Sequence, residues 1–233
     1  MKYVSVVGVA FAVATTVAGP ARASESGQVF NWTGCYVGLH VGAGYHTSSF
    51  VGEDESGGIG AVAGGQTGCN YQVDRLVLGL EGELYWSGLD TQADGSDVFG
   101  SDFGKSSNTY DGSLALRLGY AFDRLLAYGK IGVSAGRFEW SGSEQEVGSY
   151  AESFTAAQTV LGLLLGIGFE YALAERWSVK LEYNYINFGD PSVSFTESCS
   201  GAGCGGIGAL SSFTETEKEI KQILQIGFNF KFY

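Results

Sequence analysis

Apolar and polar side chains alternate along most of this chain with a period of two, the signature of β-strands with one face in an apolar medium and the other in a polar one. The pattern is clearest at the C-terminal end. From Gln222 onward, Gln222, Leu224, Ile226, Phe228, Phe230 and Phe232 fall on one face, and Ile223, Gln225, Gly227, Asn229, Lys231 and Tyr233 on the other, a near-strict alternation. Seven earlier stretches show the same alternation, at residues 35–46, 59–72, 75–87, 108–122, 125–137, 157–172 and 177–188. In the third, Leu76, Leu78, Leu80, Leu84 and Trp86 oppose Val77, Glu81, Glu83 and Tyr85; in the sixth, Leu161 to Tyr171 supply an unbroken apolar face. These runs are longer than soluble strands usually are and long enough to cross a bilayer when tilted.

The spacing between strands carries as much information as the strands. Short connections at residues 73–74, 123–124 and 173–176 alternate with long ones. Short turns on one side and long loops on the other is the construction of an outer-membrane barrel. The predicted fold is therefore all-β: an eight-stranded antiparallel up-and-down transmembrane β-barrel with both termini on the short-turn, periplasmic side. Aromatic residues near strand ends, such as Tyr45, Tyr71, Trp86, Tyr120 and Trp177, fit two interfacial girdles.

Composition agrees with this and adds an address. Of 233 residues 37 are Gly and only 2 are Pro, which suits long strands. Lys2, the apolar run from Val4 to Val17 and the small-x-small Ala21-Arg22-Ala23 read as a secretion signal, giving residues 1–23 as signal peptide and 24–233 as the barrel domain. Removing the signal leaves 25 acidic against 11 basic residues, a mature net charge of −14. The predicted loops hold sixteen carboxylates, Glu139 and Glu219 among them, against Lys105 and Lys218. That charge disfavours nucleic acid as a partner. It gives an outer face that collects cations and bridges through divalent ions to lipopolysaccharide phosphates, or one that is simply solvated.

Trp32-Thr33-Gly34-Cys35-Tyr36-Val37-Gly38, Gly64-Gly65-Gln66-Thr67-Gly68-Cys69-Asn70-Tyr71-Gln72, Arg117-Leu118-Gly119-Tyr120-Ala121 and Lys180-Leu181-Glu182-Tyr183 resemble strands one, two, four and seven of a known family. This is the group of small alphaproteobacterial outer-membrane proteins, the OmpA-type or opacity-like eight-stranded barrels of the porin-family surface antigens. The resemblance spans the mature chain but not its loops. It implies a Gram-negative outer-membrane location, lipid and lipopolysaccharide as surroundings, the outer-membrane assembly machinery as a partner, and host surface molecules as candidate contacts. It also implies alternatives to a structural role: a narrow porin-like channel for small solutes, or capture of a ligand such as haem by the loops. Two departures stand out. The family carries an apolar residue where this chain has Cys35 and Cys69, and its closing signal ends on the lipid-facing aromatic, here Phe232, after which this chain adds Tyr233.

Export permits disulfides, and four cysteines allow three pairings. Cys35 starts strand one at the periplasmic end and Cys69 lies near the same end of strand two, on the same face, so Cys35–Cys69 and, within one Gly-rich loop, Cys199–Cys204 are expected. Phe228, Phe230, Phe232 and Tyr233 form the expected assembly signal. Catalytic residues are not expected: His40 and His46 share one strand, and no Ser or carboxylate stands at a diagnostic spacing. Metal and cofactor sites are not expected either. The candidate site is the lumen. Glu81, Arg117, Lys130 and Glu182 stand five or six residues above the short-turn end of their strands, with Glu83 and Lys180 adjacent and His40 at a similar height. An eight-stranded barrel has room only for its side chains, so these groups are expected to pair into a polar plug.

Overall fold

The computed structural model describes residues 30–50, 56–96, 100–146, 150–201 and 209–232. Nine β segments are present: β1 (Gly34–Phe50), β2 (Ser56–Val73), β3 (Leu76–Ser96), β4 (Gly100–Phe122), β5 (Leu125–Glu146), β6 (Tyr150–Ala172), β7 (Trp177–Asn187), β8 (Ser192–Gly201) and β9 (Ala209–Lys231). Each pairs antiparallel with its sequence neighbour from β1 to β7, and β9 pairs with both β7 and β1, closing the cylinder. β7 and β8 are two pieces of one stave. β7 pairs with the lower part of β6 and of β9, and β8 with their upper parts. The interruption falls at Phe188, Gly189, Asp190 and Pro191, where Gly189 has φ 71° and Pro191 has no N–H for the ladder. The closed barrel thus has eight staves, and closure removes every sheet edge that lipid could not satisfy.

Two of the short turns are Asp-Arg dipeptides. Val73 pairs with Leu76 and Phe122 with Leu125, leaving Asp74-Arg75 and Asp123-Arg124 as two-residue connections. The first turn is thus one residue later than the expected 73–74. Asp74 and Asp123 have φ of 54° and 50°, a left-handed conformation that Asp tolerates better than most side chains. The N-terminal segment ends at this same side. The Phe30 amide donates to the Asp123 carbonyl (3.2 Å) and the Trp32 amide to Gln72 Oε1 (2.6 Å). Trp32 is buried with Val77, Ala121, Leu126, Tyr128 and Ala172, forming an apolar floor across the lower opening.

The strands run well beyond the expected boundaries. Most of the stretches expected to be loops, 88–107, 138–156 and 189–219, are ladder instead. Thr109 explains part of this. Asn108 pairs with Phe138 but Tyr110 with Arg137, so Thr109 is an extra residue and the inward parity of β4 slips by one above it. A second reason is that polarity inverts. In the lower half, Leu78, Leu116, Ile131, Leu165 and Ile226 are exposed on the outer wall while the inward side chains are polar. In the upper half Leu89, Phe138, Trp140, Phe188, Val193 and Phe195 form a buried apolar core beside the buried polar groups His46, Glu219 and Lys221. The exposed outward residues there are largely Ser and Thr, with Arg137, Glu139 and Lys218 among them. Aromatics ring the apolar outer band, with Tyr45, Trp86 and Tyr110 above and Tyr71, Tyr120, Tyr171 and Trp177 below.

Candidate functional site: the charged lumen

The inward positions of the lower half are filled by ionisable groups with almost no access to solvent. Arg117 and Lys130 are direct cross-strand partners on β4 and β5. Two cations in that relation repel, so neighbouring strands must supply the counter-charge. β3 provides Glu81 and Glu83, β6 Glu170, and β7 Glu182. Arg117 Nη1 lies 3.3 Å from Glu81 Oε2 and Nη2 2.8 Å from Glu170 Oε2. Lys130 Nζ reaches Glu81 (3.2 Å), Glu182 (2.8 Å) and Glu83. Lys180, entirely buried, bridges Glu81 (3.3 Å), Glu83 (3.0 Å) and Glu182 (3.5 Å). Two glycines make room for the lysine stems: a Cβ at Gly166 would stand 2.7 Å from Lys130 Cγ, and one at Gly227 2.8 Å from Lys180 Cγ.

Four carboxylates face three cations here, and neutral donors complete the set. Tyr36 donates to Glu81 (2.6 Å), Tyr85 to Glu83 (2.6 Å) and Tyr128 to Glu182 (2.7 Å). Gln225 Nε2 donates to Glu83 and Glu182, both at 2.9 Å; Ser178 and Asn229 donate to Glu170 (2.5 and 2.8 Å). The Arg117 guanidinium also lies over the Tyr128 ring at 3.9 Å. Leaving buried charges without such partners would cost several kcal/mol apiece.

Glu81, Glu83, Arg117, Lys130, Lys180 and Glu182 thus meet in one network. His40 stands beside it rather than in it: Nδ1 donates to Gln66 Oε1 (2.7 Å), and the ring lies 4.8 Å from that of Tyr85. Glu81, Glu83 and Glu182 bring carboxylate oxygens within 4.8 Å of one another, as a divalent cation would require. The ammonium groups of Lys130 and Lys180 each contact all three, and Arg117 also reaches Glu81, so the geometry is that of ion pairing. Glu170, Tyr36, Tyr85, Tyr128 and Gln225 were not among the expected members. Glu170 could have been found, because it shares the inward parity of Gly166 and Gly168, opposite the leucines of its strand.

A second buried cluster lies higher. His46 Nε2 meets Glu219, which also accepts from Ser48 (3.0 Å), Ser106 (3.4 Å) and Trp140 Nε1 (3.1 Å). Lys221 pairs with Asp111 and Asn108. Glu219 is therefore a lumen residue with no exposed surface, correcting its place among the solvated loop carboxylates. Its burial follows from β9 being a strand there.

Cys35 and Cys69 are disulfide-bonded across β1 and β2. Cys199 is also disulfide-bonded; Cys204 lies outside the described residues. Phe228 and Phe232 are exposed on the outer wall and Phe230 partly so, with Trp177 5.2 Å from Phe228 and 4.8 Å from Phe230; Tyr233 lies outside the described residues. The expected signal peptide, residues 1–23, lies outside them as well.

A closed antiparallel cylinder with an apolar outer band, aromatic girdles and a charged interior defines a transmembrane β-barrel of the outer membrane. Residues 9–232 match the profile of the outer membrane protein beta-barrel domain, and the chain belongs to that family. It is 30% identical over 222 residues to a 31 kDa outer-membrane immunogenic protein of Brucella melitensis, covering 88% of this chain and 85% of that one. It is 29% identical to a 22 kDa outer membrane protein of Rhizobium leguminosarum, over 68% and 65% of the two chains. Among solved structures it resembles a major outer membrane protein from Thermus thermophilus, with TM-score 0.44 and 18% identity over 84% of this chain and 99% of that one.

Proposed function

We propose that this protein is a structural and surface-exposed component of the outer membrane whose lumen is shut. The observation that supports this reading is the buried network of Arg117, Lys130 and Lys180 with Glu81, Glu83, Glu170 and Glu182, spread over β3 to β7 and fully desolvated. The apolar floor below it and the Phe138–Trp140–Phe188 core above it close the lumen at two further levels. A water path for solutes would have to break all three. The relatives named as immunogenic proteins favour a surface role visible to a host. In this reading residues 1–23 export the chain, the Phe228–Phe230–Phe232 face with Tyr233 addresses it to the assembly machinery, and lipid and lipopolysaccharide surround it.

Planar bilayers test the shut lumen. Wild-type barrel, verified as folded by its heat-modifiable mobility, should show no steady conductance, and Arg117→Ala should show brief, irregular openings. Large, stable, cation-selective channels from the wild type would replace this reading with that of a pore.

A further inference from the structure

The upper outer wall of β5, β6, β8 and β9 carries a field of hydroxyl groups. Ser141 pairs with Thr155, Thr155 with Thr196, and Thr196 with Ser212, so one row of four hydroxyl side chains crosses four strands. All four are exposed. A second row, Ser143, Ser153 and Ser198, runs beside it, also exposed, with Ser153 and Ser198 hydroxyls 2.8 Å apart. Side chains on neighbouring strands stand about 4.8 Å apart and those two residues apart along a strand about 6.7 Å, so donors and acceptors repeat in two directions. Behind the field Trp140, Val193 and Phe195 are buried, which holds the sheet rigid.

This face continues an interface already described. On β6 the same outward parity that gives Thr155 gives Leu161, Leu163 and Leu165 a few residues lower, inside the apolar band that meets acyl chains. Six residues of tilted strand rise about 15 Å. What lies that far above the acyl chains of the outer leaflet is the sugar of lipopolysaccharide. The face is also chemically suited to sugar. In a chain of net charge −12 these seven side chains are uncharged; Lys105 adjoins Ser141 on β4, and Glu139, with its partner Arg137, stands two residues below. A carboxylate field would repel phosphorylated core sugars, whereas hydroxyls both donate to and accept from theirs.

We propose that the Ser141–Thr155–Thr196–Ser212 row and its neighbour form a docking surface for the core saccharide of lipopolysaccharide in the same leaflet. Each hydroxyl contributes weakly, and the surface acts by presenting several at once to a ligand already held at the membrane. The inference goes beyond the structural reading and stands whether or not the lumen conducts.

The test uses the mature barrel in detergent micelles, titrated with lipid-free core oligosaccharide and followed by backbone amide resonances. Saturable shifts are expected at Ser141, Thr155, Thr196 and Ser212, with a dissociation constant in the millimolar range. The double variant Thr155→Val/Thr196→Val keeps β-branched side chains at both positions and should bind at least fivefold more weakly. Ser153→Ala/Ser198→Ala supplies an independent second variant, and heat-modifiable mobility shows that each is folded. Shifts absent from this face, shifts unchanged in both folded variants, or equal shifts with a glucan foreign to the membrane would each overturn the proposal.

Discussion

Leu161 and Leu164 sit three residues apart on β6 and illustrate the two faces of the wall where the lipid-facing band and the apolar core overlap in height. Leu161 is 71% exposed on the outer wall, and Leu164 is wholly buried in the lumen. Leu161, the higher of the two, still belongs to the outer wall that turns an apolar surface to acyl chains. Leu164 is the lowest β6 member of the apolar core, which rises from there behind a more polar outer wall. That core shares the upper interior with the buried His46–Glu219 and Lys221–Asp111 pairs. One sheet therefore serves two solvents. Inside the barrel the hydrophobic effect stabilises the upper core and the floor at the lower opening, but not the charged level between them. That level is held by electrostatic and hydrogen-bond complementarity. In the apolar core volume matters; in the charged level the identity of each atom does.

That contrast can be broken most directly by placing the same residue in both. Lys180→Met should cost about 3–5 kcal/mol, since Glu81, Glu83 and Glu182 lose a buried cation. Leu164→Met, at an equally buried site, should cost less than about 1.5 kcal/mol because the volume is nearly kept. Urea unfolding in micelles measures both, and equal costs would mean that the network is not what stabilises the lower half. On the outside the order reverses in kind. Leu116→Arg, in the lipid band, should cost about 2–4 kcal/mol, whereas Ser141→Arg, in the upper half, should stay within about 0.5 kcal/mol. A large penalty at Ser141, read from the same unfolding curves, would place the membrane higher than the polarity inversion does.

The remaining tests concern the lower half alone. Cys35→Ser with Cys69→Ser removes a cross-link between residues 34 apart that ties β1, the first strand of the closing seam, to β2, and should cost about 2 kcal/mol. A reduced wild type that unfolds at the same urea concentration as the oxidised one would argue against any role for that bond. Asp74→Ala should cost about 1 kcal/mol, because Ala adopts the left-handed conformation less readily. An unchanged midpoint would show that the turn shifts to another geometry at no cost.

The lower half was legible in the sequence because both of its faces obey the period of two. Glu81, Glu83, Arg117, Lys130, Lys180 and Glu182 carry their charge at inward positions, and the shortness of the turns fixes their heights. The upper half was hidden for three physical reasons. Thr109 shifts the inward parity of β4 by one residue, so the alternation cannot be followed past Asn108. Phe188 to Pro191 interrupt the seventh stave. Above both, an outward Ser or Thr and a carboxylate-rich stretch look like loop when the strand is judged by a lipid-facing side it no longer has. Glu219 was misplaced for that reason. His40 was placed at the right height, but height alone could not say that Gln66 would take its hydrogen bond.

The inversion of polarity also works as a waterline. A cylinder whose outside were apolar throughout could ride at any depth. Here a shift upward would lift leucines such as Leu161 out of the hydrocarbon, and a shift downward would drag Glu139 and Arg137 into it. Each ångström of displacement costs a fraction of a kcal/mol, repeated around the circumference. The protein is thus ballasted to a bilayer of one thickness, and a membrane thicker than its band must thin around it.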